Sequence, residues 1–280
     1  MTGRNEEGIR LHQEIIEDNP YCSLAWFNLG SAYQGIKLYE KAIDSYQYAV
    51  AIDEKFDYAY RNMADAFIRL RKYKEAIDAL ETVTELSRPE SVILEAIGHC
   101  YDKMGNPAQA RFYYKKAHHV EPEDTMLLLK IADTYMIQQN WEQAIKFLEQ
   151  ALKKYPHQPE FNLAIGRCYL QQEKYEEAIQ HLGIAVRVRP KNMGSWVELL
   201  NCFYKSELYE EGYNCAAVAF EQTHAKPIFV YYKAAFLIAM GMHKQGLLYL
   251  EAAMKANPKL INKFMDIDAT HLQNPAIIEL

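Results

Sequence analysis

One pattern of side-chain sizes returns every 34 residues from Ser23 to Pro258, and this period limits the possible folds more than any other property of the chain. The first copy, Ser23 to Glu54, reads as two amphipathic helices, Leu24 to Gln34 and Tyr39 to Ile52, joined by a short turn containing Gly35. Neither helix can bury its apolar stripe alone. Each copy must therefore stack on its neighbours, which predicts a one-dimensional array of helix pairs.

Seven full copies begin near Ser23, Asp57, Ser91, Thr125, Pro159, Met193 and Pro227, with no insertion between them. The eighth place of each copy holds Gly30, Ala64, Gly98, Ala132, Gly166, Leu200 and Ala234, and the twentieth holds Ala42, Ala76, Ala110, Ala144, Ala178, Gly212 and Gly246. Small residues at both places let paired helices approach closely. The twenty-seventh place is alanine in every copy but the second, which has Val83, and so offers a seat to the next pair. Bulk at the eleventh place, from Tyr33 to Leu237, fills the space between helices. Leu200 is the oversized exception, and Gly212 in the same copy is expected to have shrunk to admit it.

With these residues the chain resembles the tetratricopeptide repeat family: Trp26, Leu29, Gly30, Tyr33, Ala42, Tyr46 and Ala49 give the family pattern almost complete, and Pro122, Pro156, Pro190 and Pro258 close later copies. The resemblance covers roughly residues 6 to 258. It implies an all-α fold, a right-handed α-solenoid superhelix of stacked antiparallel helix pairs. The expected organisation is a half-repeat with a capping helix over residues 1–22, seven repeats over 23–258, and a capping helix with a tail over 259–280. Gly8 to Glu17 is expected to be a lone helix covering the first pair. Displacement of the closing proline to Pro89 predicts a change of loop shape there and no domain boundary. Leu260, Ile261, Phe264 and Ile267 keep helical spacing, Asp266 to Gln273 reads as a loop, and Asn274 with Pro275 resembles a helix start.

A formal charge of −6 argues against the basic stripe that nucleic acid requires. No apolar run is long enough to span a bilayer, and the first residues lack a secretory hydrophobic core. The expected location is cytoplasmic. Three of the five cysteines, Cys100, Cys168 and Cys202, occupy the tenth place held elsewhere by Ala32, Ala66 and Thr134, so they read as small core residues. Phosphate-binding, zinc-protease and serine-hydrolase motifs are missing, which predicts no enzymatic activity and no cofactor. His118 and His119 with Glu121, Glu123 and Asp124 read as a solvated helix end, not as metal ligands.

In the family the resemblance points to, the first helix of each pair lines a concave groove that holds extended or helical peptides. The corresponding residues are Arg61, Asp65, Arg69, His99 and Lys103 in the early copies, where Leu24, Tyr58 and Val92 also fall. In the later copies they are Met126, Leu129, Met136, Leu163, Arg167, Leu170, Val197, Asn201, Tyr204, Tyr231 and Ile238. Leu129, Leu163, Val197 and Tyr231 form one apolar ladder, and Met136, Leu170, Tyr204 and Ile238 another. The ladders would hold a partner helix or strand, with Arg61, Arg69, Lys103 and Arg167 meeting its acidic groups. The alternative left open is burial of the same surface by curvature or by the tail. The residue set that clamps chaperone tails is missing, and an asparagine ladder stops after Asn28 and Asn62. The expected function is a protein-interaction scaffold, monomeric or weakly self-associating through its caps. The alternative is the recruiting segment of a larger enzyme.

Overall fold

The computed structural model describes residues 2–268 and residue 277, with side chains from residue 6 onward. All regular structure among these residues is helical, and the fold is an all-α solenoid of helix pairs. The chain divides into two compact units, Met1–Gln138 and Gln139–Leu280, the division falling at the turn inside the fourth repeat. The first unit contains α1 (Thr2–Asp18), α2 (Ser23–Gly35), α3 (Tyr39–Ile52), α4 (Asp57–Arg69), α5 (Tyr73–Leu86), α6 (Ser91–Lys103), α7 (Pro107–Val120) and α8 (Met126–Ile137). The second contains α9 (Trp141–Lys154), α10 (Pro159–Gln171), α11 (Tyr175–Val188), α12 (Met193–Lys205), α13 (Tyr209–Gln222), α14 (Ile228–Ala239) and α15 (His243–Ala256), then a 3-10 turn at Pro258–Leu260 and α16 (Ile261–Ile267). Within each unit a helix packs chiefly on its sequence neighbours, as expected of a stack.

Close approach within a pair is set by the eighth place. A Cβ added to Gly30 would lie 2.6 Å from the Tyr46 ring, one on Gly98 would lie 2.7 Å from Tyr114, and one on Gly166 would lie 2.5 Å from Leu182. These three partners all occupy the twenty-fourth place. In the sixth repeat the sizes are reversed, with Leu200 at the eighth place and Ala216 at the twenty-fourth, both fully buried. Gly212 therefore answers a different residue from the one expected. A Cβ there would meet Phe236 of the next repeat at 2.3 Å. The tenth place of one first helix seats on the twentieth place of the preceding second helix, and a phenylalanine at the tenth leaves no room for alanine opposite. At the other end of the chain the same register puts Gly8 of α1 against Ala32 of α2.

Turns inside the pairs are closed by the backbone. The N–H groups of Leu38, Lys72 and Asn106 donate to the carbonyls of Tyr33, Phe67 and Tyr101 at 2.9 Å, and Lys174, Leu208 and Met242 repeat the bond. The residue before each donor adopts the left-handed conformation, with φ of 62° at Lys37, 60° at Arg71, 73° at Gly105, 60° at Glu173 and Glu207, and 78° at Gly241. This is the Schellman closure of a helix end. Gly35 belongs to α2 and is not the residue that turns the chain. The loops into several pairs are pinned from the fourth place: Trp26 Nε1 donates to the Pro20 carbonyl at 2.9 Å, Trp196 Nε1 to Pro190 at 2.8 Å and Asn162 Nδ2 to Pro156 at 3.0 Å.

Two loops depart from the rule. Ser87 is extended (ψ 171°), and the turn found in the other loops is missing through Glu90, where the proline is displaced. Between α13 and α14 the closing proline is replaced by His224, and both His224 and Ala225 have a φ of 59°. The C-terminal helix ends at Ile267, the last residue of the helical spacing, so Asp266 is helical and not the start of a loop, and Asn274 and Pro275 lie outside the described residues.

Candidate functional site

The second place of each first helix in the first unit carries an apolar side chain in water: Leu24 is 56% exposed, Tyr58 64%, Val92 62% and Met126 40%. One comes from each of α2, α4, α6 and α8, at the same register. Beside this row, neighbouring first helices are tied by polar links. Gln34 Nε2 donates to Asp65 at 2.7 Å, while Gln34 Oε1 accepts from the buried Tyr46 hydroxyl at 2.7 Å. Lys130 pairs with Glu95. Arg61 makes two bonds to the Glu90 carboxylate, of 3.0 and 2.7 Å, and its Nε lies 3.4 Å from Asp57. Those bonds hold the Glu90 carboxyl below its ordinary range and raise the Arg61 guanidinium above its own. Burial, and then the charges of Lys103 and Lys130, lower the pKa of His99, so its neutral form is favoured. Arg69 is exposed and reaches Asp65 only at 3.6 Å, and Lys103 is exposed.

The first helices of the second unit look different. Tyr231 is fully buried, its hydroxyl donating to the Asn257 carbonyl at 2.9 Å and its ring 6.1 Å from that of Phe264 in α16. The Tyr204 hydroxyl donates to Asp268 Oδ2 at 2.9 Å. Burial, with that bonded carboxylate adding to it, raises the phenol's pKa. Arg167 Nε donates to Glu198 at 3.0 Å, and Tyr232 donates to Asn201 Oδ1 at 2.6 Å. Between α12, α14 and α16 a cavity of about 690 Å³ remains, with Arg167 of α10 at its edge.

Sequence models of the tetratricopeptide repeat match residues 23–56 and 135–201, and a model of the C-terminal ARM domain of tetratricopeptide repeat protein 21 matches residues 41–165. The chain belongs to the tetratricopeptide repeat family. No curated protein matches it. Among solved structures, the C-terminal part of a tetratricopeptide repeat protein from Cytophaga hutchinsonii superposes with a TM-score of 0.71 at 16% identity, covering 90% of this chain and 98% of that one. YrrB, a tetratricopeptide repeat protein, gives 0.56 at 20% identity over 66% of this chain and 95% of its own. MamA gives 0.52 at 25% identity over 55% and 90%.

Several residues assigned to an open groove by the tetratricopeptide pattern are not open. Leu170, Tyr204 and Tyr231 are buried: Phe236 of α14 and Asp268 cover Tyr204, Phe264 of α16 packs on Tyr231, and Leu170 belongs to the same core. Leu163, Val197 and Ile238 are half-buried against the same core, as Leu129 and Met136 are within the first unit. Arg61 and Arg167 are not spare cations for a partner, since each already holds a carboxylate. Of the exposed apolar row, Leu24, Tyr58 and Val92 belong to the early copies, and Met126 alone comes from the later copies that looked greasier. The polar links carried a signal in the sequence: Gln34 to Asp65, Arg167 to Glu198 and Asn201 to Tyr232 are each separated by 31 residues. Leu260, Lys263 and Ile267, which wall the cavity, had no such signal because the repeat has ended there.

A second concavity of about 630 Å³ lies between α5 and α7, beside the irregular loop at Pro89, with Phe112 and Lys116 on its rim. His119 opens onto it. Among the described residues no cluster of His, Cys, Asp and Glu could hold a metal ion, and no helix is long and apolar enough to cross a membrane.

Proposed function

We propose that this protein is a non-enzymatic scaffold that holds a peptide or helix of a partner protein against its first-helix faces. The exposed row Leu24, Tyr58, Val92 and Met126 carries the reading. Isolated exposed apolar residues are ordinary, but one per helix at the same register makes a contiguous stripe of the kind that marks interaction surfaces. Neighbouring first helices in such a stack are on the order of 10 Å apart, which is about three residues of extended chain. A segment with an apolar side chain at every third position would therefore meet one member of the row per repeat. Asp65, Arg69, His99 and Lys103 lie about two to three helical turns further along the same first helices and supply polar contacts to a wider ligand.

YrrB is described as having an unusual peptide-binding site, and its likeness to this chain is one of fold. It lends support to a scaffold and none to a particular ligand. A cytoplasmic setting belongs to the same proposal and is supported by five free thiols.

Panning a phage-displayed peptide library on the immobilised protein tests the reading. Peptides with apolar residues three apart are expected to be enriched, and enrichment is expected to vanish with the double substitution Tyr58→Glu, Val92→Glu. Both side chains are exposed, so the variant keeps its helical circular dichroism. Equal enrichment on the folded variant refutes the proposed face.

A further inference from the structure

The segment after α15 reaches beyond the last pair: its 3-10 turn packs on α15. Helix α16 packs on α14, a first helix, and Asp268 reaches across to Tyr204 on α12, the first helix of the preceding repeat. Phe264 is fully buried against Tyr231, and Ile277 is buried in the same core. Leu260 to Asp268 thus lies along the first-helix face of the second unit, the counterpart of the face on which the scaffold reading places a partner in the first unit.

It does so incompletely. Met193, Val197 and Ile228 form one wall of the 690 Å³ cavity, and Leu260, Lys263 and Ile267 form the opposite wall, so the seat is wider than the seven-residue helix lying in it. A helix of this length has little stability of its own and depends on its anchors. Among the described residues the cleft beside it is open, and a bulkier occupant would bury further apolar surface there.

We propose that this face is a receptor for an amphipathic partner helix, that Leu260 to Asp268 is its built-in occupant, and that a longer helix with the same pattern displaces it. The pattern is read from the seated segment: an aliphatic residue at Leu260, an aromatic ring four later at Phe264, an aliphatic three beyond it at Ile267, and a carboxylate at Asp268 that accepts from Tyr204. The aromatic ring and the carboxylate supply specificity. The cleft that the described residues leave beside α16 accepts the additional apolar side chains of the longer helix. The inference rests on the scaffold reading and names the chemistry of one of its partners.

Competition by a tethered segment weakens a free ligand according to the effective concentration of the tether, which reaches the millimolar range. Releasing the tail therefore tightens external binding. The probe is a fluorescein-labelled synthetic peptide of residues 256–268, titrated into the full chain and followed by anisotropy. Phe264→Ala is expected to bind it at least about ten-fold more tightly than wild type, and adding Val197→Glu is expected to abolish binding. A peptide lacking its own phenylalanine is expected not to bind. Equal affinity of wild type and Phe264→Ala, or no binding to folded Phe264→Ala, overturns the proposal. Should that variant not fold, hydrogen exchange on wild type decides. Saturating peptide speeds exchange of the Ile261–Ile267 amides if displacement occurs, and unchanged exchange overturns it. A wild-type dimer that dissociates on Phe264→Ala would assign the seat to a second copy and overturn the heterologous partner. Because the probe is the chain's own sequence, displacement can succeed while peptide panning on the first unit fails, and the reverse.

Discussion

Gly212→Ala should destabilise this protein, although the same glycine-to-alanine change in a helix ordinarily stabilises. A Cβ at this position would stand 2.3 Å from two ring carbons of Phe236, against an ordinary carbon contact of about 3.5 to 4 Å. The ring is fully buried, with the Tyr204 ring 5.6 Å away and the Tyr232 ring 6.4 Å away, so it cannot swing clear. Overpacking of this kind costs up to about 3 kcal/mol, and the helix preference for alanine returns about 1 kcal/mol. The net loss is about 2 kcal/mol. In a Phe236→Ala background, Gly212→Ala would set alanine opposite alanine, the combination that Ala42 and Ala66 already make in fully buried positions. There the same change should stabilise by about 1 kcal/mol, giving a coupling of about 3 kcal/mol. Urea denaturation of the four variants, followed by circular dichroism and by tryptophan fluorescence to check that the transitions coincide, measures this cycle. The same sign in both backgrounds would refute the seating of the tenth place on the twentieth.

Three other outcomes are expected. Gly105→Ala should cost about 1 kcal/mol in the same assay, entirely from the backbone, since φ is +73° and nothing lies within 4 Å of the added carbon; a neutral result would contradict the left-handed closure. Burial pushes the Cys100 and Cys202 thiols up to about 11, so at pH 8 a thiol reagent should label half-buried Cys22 first and spare both until the chain unfolds. The Tyr204 phenol, held above its ordinary value of about 10, contributes stability that is complete below pH 10 and is lost as the pH rises above it. The stability difference between wild type and Tyr204→Phe should therefore be flat below pH 10 and shrink above it, and a constant difference at high pH would count against the bond to Asp268.

Repeat boundaries were legible because the same steric demand recurs in every copy: α2, α4 and α6 begin at Ser23, Asp57 and Ser91, where the size pattern starts. The partner of each size was less legible. Gly212 looked like a response to Leu200 because both lie in one copy, whereas the fit that matters runs to Phe236 in the next. Lys37 and Arg71 gave no sign of their left-handed backbone, since the closing bonds are made by main-chain groups that any residue carries. Tyr204 and Tyr231 looked available because the repeat pattern ends at Pro258 and says nothing of where Phe264 and Asp268 go. Charge pairing was readable in principle from the 31-residue spacing of Arg167 and Glu198.

The main-chain closure of the pair turns frees the residue at the fifteenth place from any side-chain part in holding the stack together. That place is exposed in all seven repeats. In the first unit it includes Lys37 and Arg71, and in the second Glu173 and Glu207, so the charged side chains at this one place are positive in the first unit and negative in the second. Such charges steer encounters within a screening distance of about 8 Å at physiological salt. Their sign can be rewritten, one turn at a time, in a coding layer that folding does not read.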